Sequence, residues 1–376
     1  MSLRSLIDSR RVILCVGCGG VGKTTTAAAL GLAAAMAGKR TLCLTIDPAK
    51  RLAESLGFSE MTSEAQRVEP ERLARAGLDV KGSLTVMMLD TKGTFDDLIG
   101  RHASSPDVRD RILRNRLYRH VSTSLAGTQE YMAMEKLYAL KGDPRWDLIV
   151  VDTPPTANAL DFLDAPDRMI DAIDSTVLRW LVAAFQSSGK VGVNLLARSA
   201  ASALRGIAKL TGQGFLEALA EFVVLMNEMF GGFRKRADEV RKALRGPEVA
   251  YVLVTSPDPL SIREIRFFAD RLREMQMPRD AVVVNRVHAP RPERAEPEEI
   301  ALELERRGIA LGPDGEARVL SASDDEARLA ELDRAHLAAL SALDEPGGRQ
   351  VRADVPAFAG DVHDLPSLAR VAAALA

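Results

Sequence analysis

Two kinds of run alternate along this chain. Short, almost wholly apolar stretches recur at Arg11–Val16, Lys39–Ile46, Ser83–Leu89, Trp146–Asp152, Val249–Thr255, Ala281–Arg286 and Val351–Val355. Bounded by glycine, proline and aspartate, such runs read as strands buried on both faces, the pattern of a parallel sheet. Between them, apolar residues return at helical spacing. Ala27–Ala37 reads as a helix ending at Gly38, and helical pattern runs on to about Leu140 with a break near Ser104-Ser105-Pro106. Gly127 is expected to start a new helix within it. Further helices are expected over Ser261–Met275, near Asp324–Leu343 and over Pro366–Leu375, with an exposed, proline- and glutamate-rich stretch from Pro290 to Glu305. Strands separated by helices predict an α/β fold with a mostly parallel central sheet flanked by helices.

From about Ala165 to Arg245 the strand signal disappears. Pro166 opens the run. Apolar residues recur at helical spacing in Val177, Leu178, Trp180, Leu181 and Phe185, and again in Phe215, Leu216, Leu219, Phe222, Val223, Met226, Met229 and Phe230. Ser187-Ser188-Gly189, Gly206, Gly212 and Gly231-Gly232 read as breaks. The expected organisation is therefore an α/β domain from 1–164 and 247–376 with a helical insert at 165–246. The insert's apolar stripe suits an ordinary subdomain core, and its methionines also suit an adaptable binding surface for a client. The basic cluster Arg234, Lys235, Arg236, Arg241 and Lys242 reads as a solvated helix face.

Chemistry concentrates where the first strand meets the first helix. Gly17-Cys18-Gly19-Gly20-Val21-Gly22-Lys23-Thr24-Thr25 fits the pattern G-x-x-x-x-G-K-S/T, in the strand–turn–helix context that the pattern needs. Glycines let the backbone curl so that several N–H groups face one anion, and the helix N-terminus adds partial positive charge. Lys23 can reach β- and γ-phosphates, and the Thr24 hydroxyl is placed to ligate Mg²⁺. This is a P-loop, and it marks the chain as a P-loop NTPase. Two later strands end in carboxylates. Asp47, in Asp47-Pro48-Ala49, is read as sensing Mg²⁺ or its waters, with capping of the following helix as the alternative. Asp152 ends a Walker B type strand and is expected beside the Thr24 metal site, holding a metal-bound water. The double proline after it makes a stiff loop that a γ-phosphate could pull into place. Asn285, at the end of a buried strand, carries an amide suited to the edge of adenine, with a turn role as the alternative.

Composition adds bounds. The chain has 376 residues, 47% of them hydrophobic, and a formal net charge of −2, which gives no reason to expect nucleic acid as a partner. The three cysteines, Cys15, Cys18 and Cys43, form no C-x-x-C pair, so neither a zinc site nor a disulfide framework is suggested. A soluble protein in a reducing cytosol is the expectation.

Taken jointly, these motifs resemble the ATPase family that includes the arsenical pump-driving ATPase and the targeting factor for tail-anchored membrane proteins. The phosphate loop Gly17–Thr25, the first switch beginning Asp47-Pro48-Ala49, the second switch Asp152-Thr153-Pro154-Pro155-Thr156-Ala157-Asn158 and a following helical insert occur in the family's order. The strand Val283-Val284-Asn285-Arg286 is similar to the one carrying the family's adenine-contacting asparagine. Val355-Pro356-Ala357-Phe358 is similar to its late adenine loop, which implies base contacts for Pro356 and Phe358. The resemblance implies a Mg²⁺-dependent ATPase working as a homodimer or a heterodimer of paralogues, with Gly19, Gly20, Val21, Gly22, Lys23, Thr24 and Thr25 around the phosphates. It also implies that ATP closes the dimer and reshapes the inserts, which would handle a hydrophobic client or serve a membrane anion pump. It is not followed everywhere. Cys18 stands where the family has a lysine that reaches the partner's phosphates, so hydrolysis is expected to be slow or to need a different partner subunit. Glu54 stands where tail-anchor factors have a water-orienting aspartate, one methylene shorter. Asn158 replaces a histidine, and the lack of any cysteine after Cys43 counts against arsenite as cargo.

Overall fold

In the computed structural model the described residues are 2–46, 53, 56, 58, 61–124, 128–154, 156–186, 213–289, 297–310, 312, 314–343 and 351–375. Two compact units emerge. The first comprises Met1–Met87, Asp147–Thr156 and Ala250–Ala376, and the second comprises Met88–Trp146 and Ala157–Val249. The helical stretch expected over 165–246 concerned only the later part of the second unit.

The first unit is built on eight strands: β1 (Val12–Gly17), β2 (Arg40–Thr45), β3 (Gln66–Arg67), β4 (Ser83–Met88), β5 (Leu148–Asp152), β6 (Val249–Thr255), β7 (Ala281–Val287) and β8 (Val351–Pro356). Their order across the sheet is β3-β4-β2-β5-β1-β6-β7-β8. β5 runs parallel to both β1 and β2, β7 runs parallel to β6 and β8, and the short β3 is antiparallel to its neighbour β4. β1, β5 and β6 are buried along their whole length, as the uninterrupted apolar runs foretold. Helix Lys23–Met36 lies against this sheet, and its stretch Ala27–Ala35 is wholly alanine, leucine and glycine. The approach is close. A Cβ added at Gly31 would stand 2.2 Å from the Cys43 sulfur. The core therefore selects small residues on this helix, because larger ones would hold it off the strands.

β7 departs from regular pairing. Val284 pairs with Asp354 but Val287 pairs with Pro356, so β7 carries one extra residue over this step. Arg286 takes up the irregularity at φ 62, a left-handed conformation rare for a side chain of its size. Alternation along the strand is broken there, and this allows Asn285, Arg286 and His288 to line one cavity.

The second unit is helical, with segments Thr91–His102, Pro106–Arg114, Arg116–Ser124, Thr128–Lys141, Thr156–Asp174, Thr176–Gln186 and Gln213–Leu244. Its core gathers Phe95, Leu98, Ile99, Tyr118, Tyr131 and Met132 with Met226, Met229, Phe233 and Ala237. Two expectations fail here. Pro166 does not open the helical run but lies inside helix Thr156–Asp174, where Phe162, Leu163 and Ala165 are buried around it. A proline removes one donor from a helix, and burial of its neighbours outweighs that loss. Nor do Gly231-Gly232 break the chain, since helix Gln213–Leu244 runs through them. Each glycine costs about 1 kcal/mol in a helix interior, which the buried face Met229, Phe233, Ala237 and Val240 offsets. The breaks foreseen at Ser187–Gly189, Gly206 and Gly212, and the helix start foreseen at Gly127, lie outside the described residues.

One of the basic residues expected at a solvated face has another task. Arg236 sits over the Tyr138 ring at 4.2 Å and binds Glu135, whose side chain is wholly buried, through Nε at 2.9 Å. A buried carboxylate left without its cation is strongly destabilising. Arg236→Ala is expected to lower stability by about 3 kcal/mol, read as the urea midpoint of the helical unit's unfolding. Adding Glu135→Gln should recover most of that loss.

Candidate functional site

The site starts from helix Lys23–Met36. Gly22 precedes it at φ 93 and Gly20 stands at φ 82, both left-handed conformations that glycine adopts without strain. No side chain caps the helix. Its first N–H groups have no intrahelical acceptor by geometry, so they face outward together with the dipole's positive end. A Cβ at Gly22 would fall 2.2 Å from the Asn285 amide nitrogen, so glycine is required there twice over.

Lys23 is 7% exposed, and its Nζ donates to the Cys18 carbonyl at 2.7 Å, arching over the loop. The Thr24 hydroxyl donates to Asp152 Oδ2 at 2.7 Å, and Thr45 Oγ1 stands 3.4 Å from the same oxygen. Asp152, the last residue of β5, is 2% exposed. Two thiols flank it on the neighbouring strands. Burial, reinforced by the charge of Asp152, pushes the Cys15 thiol well up and the Cys43 thiol up to about 12. Both therefore stay neutral, and they add no negative charge beside the carboxylate. Thr153 turns its hydroxyl back onto the Cys15 carbonyl at 2.8 Å, fixing the start of the loop after β5.

A cavity of about 820 Å³ opens over the loop, within the size range of small-molecule sites. Gly19, Gly20, Gly22, Lys23, Thr24, Thr25, Thr153, Asn285, Arg286, His288, Pro356, Ala357, Phe358, Gly360, Asp361 and Val362 line it. Among the sequence-designated residues, the structure thus gathers the phosphate loop, Asn285, Pro356 and Phe358 around one space. Val21 is buried and offers its carbonyl instead, accepting from Asn285 Nδ2 at 2.9 Å. The Asn285 donor is therefore engaged with the phosphate loop, a buttress that its reading as an adenine contact did not include. Asp47 and Glu54 lie outside the described residues, as does Pro155.

The donor set can be tested against the groups that the P-loop implies. Among the described residues no three His, Cys, Asp or Glu side chains converge as a metal cage. One hydroxyl and one carboxylate are present instead, both oxygen donors. That suits Mg²⁺, which is usually held by one or two protein oxygens together with water and phosphate. The cavity, the glycine cradle and Lys23 likewise suit a nucleoside triphosphate.

Against known families, residues 10–298 match the model of the anion-transporting ATPase. The chain belongs to that family. As a member it is an ATP hydrolase with the family's α/β architecture. Curated relatives include "ATPase GET3" of Podospora anserina, 24% identical over 77% of this chain and 78% of that protein. They also include "ATPase get3" of Aspergillus terreus, 27% identical over 77% of each chain, and "ATPase ASNA1 homolog 1" of Paramecium tetraurelia, 25% identical over 77% and 79%. Among the described residues no helix is long and apolar enough to cross a membrane.

The structure makes the setting of Cys18 concrete. The thiol is buried, and its sulfur lies 3.6 Å from the Ser261 carbonyl. Position 18 thus turns into its own subunit. Sequence reasoning missed Arg286, His288 and the Gly360–Val362 loop, because a bulge in β7 and a loop return from β8 have no periodic signature. Asn285→Asp keeps the side-chain shape but loses the donor to Val21. It is expected to weaken ATP binding about tenfold, measured by fluorescence titration with a labelled nucleotide.

Proposed function

We propose that this family member is a Mg²⁺-dependent ATPase that works as a dimer, with nucleotide-driven closure coupled to handling a hydrophobic client or membrane-protein segment. The observation that carries the nucleotide part is the bond from the Thr24 hydroxyl to Asp152 beneath a glycine-rich helix start. In this reading Lys23 leaves the Cys18 carbonyl to neutralise the β- and γ-phosphates, while the backbone N–H groups of residues 20–25 hold them. Thr24 and Asp152 hold the Mg²⁺, and Asp47 assists it. When bound, Mg²⁺ neutralises charge developing on the phosphate oxygens. Glu54 orients the attacking water, and Pro356 and Phe358 sandwich the base. The resemblance to tail-anchor targeting factors supports a client role for the helical unit. Its described methionines Met226 and Met229 are packed in the core.

A second reading is favoured by one observation. Cys18 is buried against Ser261 and carries no charge to offer a partner's phosphates. The chain then serves as a nucleotide switch, or as half of a heterodimer whose other half supplies the missing cation. A third reading, motor subunit of a membrane anion pump, has no thiol cluster for arsenite among the described residues, since Cys15, Cys18 and Cys43 are each buried.

Turnover per subunit measured against protein concentration separates the first two. Turnover that rises steeply and saturates supports a homodimer competent for hydrolysis, and flat, near-zero turnover with ATP still bound supports the switch. Where the wild-type chain turns over, Lys23→Ala is expected to cut turnover at least a hundredfold, and unchanged turnover there would refute the site.

A further inference from the structure

His288 follows β7 directly and lines the cavity, yet nothing above gives it a role. Asp333, buried on helix Gly315–Leu337, accepts both from the His288 backbone N–H at 2.8 Å and from its ring Nδ1 at 2.9 Å. The ring therefore has its orientation set by a carboxylate that is itself held in place. The same helix is pinned one turn later, where His336 Nδ1 lies 3.0 Å from the Pro257 carbonyl oxygen. An ionised carboxylate only accepts, so the proton of the neutral ring sits on Nδ1 and the bare lone pair sits on Nε2. That edge is the one turned away from Asp333, on a side chain that is 32% exposed beside the cavity.

Position along β7 says which part of a nucleotide this lone pair would meet. Asn285 reaches the phosphate loop at Val21. Val287 accepts from the backbone N–H of Ala357, in the loop after β8. The strand end thus leads from the phosphate loop toward Pro356–Phe358, and His288 lies beyond Val287 at that second end. We propose that His288 Nε2 accepts a hydrogen bond from the nucleoside half of the bound nucleotide, from either a ribose hydroxyl or the exocyclic amine of adenine. Asp333 is a positioning residue that fixes the accepting tautomer. The inference rests on the nucleotide-site reading above and deepens it into specificity, since an acceptor at this place rewards a donor on the nucleoside and rejects a nucleotide that lacks it.

The test is equilibrium binding to the full chain of ATP, 2′-deoxyATP, 3′-deoxyATP and purine riboside triphosphate, which lacks the exocyclic amine. Wild-type protein is expected to bind one of the three analogues about tenfold more weakly than ATP, and the analogue affected identifies the group contacted. In His288→Ala that penalty should vanish while ATP affinity falls to the analogue's level. Both His288 donors use one Asp333 oxygen. Asp333→Asn retains a carbonyl oxygen for them and should keep the discrimination, whereas Asp333→Ala removes the acceptor and should reduce it. His288→Leu, which has no acceptor, serves as a second variant if the alanine form is unstable. Alanine variants at His288 or Asp333 that keep the wild-type affinity for all four ligands, or that lose affinity equally for all four with the penalties intact, overturn the inference alone. Wild-type protein that binds ATP no better than Lys23→Ala overturns the nucleotide site and the inference with it.

Discussion

Thr24 and Asp152 meet across 2.7 Å, and most of the first unit is arranged to make that meeting possible. Thr24 stands in the first turn of a helix that lies close against the sheet because alanine and glycine predominate in its stretch Ala27–Ala35. Asp152 ends a strand pinned between β1 and β2, so its carboxylate has little freedom to move. Burial makes this pair matter. A carboxylate at 2% exposure is costly without donors, and the hydroxyls of Thr24 and Thr45 supply them. The flanking thiols stay protonated, so they add no second anion beside it.

Around that pair the cavity is assembled from distant pieces of chain. The phosphate loop comes from residues near 20, Asn285 to His288 from the end of β7, and Pro356 to Val362 from the loop after β8. The bulge at Arg286 joins them, because it lets Asn285 support Val21 while Val287 holds Ala357. Backbone strain at one arginine is thus the local cost of bringing two loops to one ligand.

How much of this could be read beforehand follows from which signals are local. The phosphate loop, the buried strands and the carboxylate at Asp152 are each written within a dozen residues, so the parallel sheet and its P-loop were legible. The partners of those residues were not. Nothing near Asn285 announces a bond to Val21, and nothing near His288 points to Asp333, because such pairs depend on how strands and helices return through space. The helical unit shows the same divide. Helical spacing marked the stretch after Ala165, but spacing cannot say that Phe95, Tyr118 and Met132 join Met226 and Phe233 in one core. Pro166 and Gly231-Gly232 misled because local propensity yields to burial when a whole face is packed.

The chain passes between the two units on either side of a short segment, Asp147–Thr156, with Trp146 before it and Ala157 after it in the helical unit. The strand that ends in Asp152 therefore continues at both ends into chain of the helical unit. No substitution unlinks the two, because the link is the chain itself.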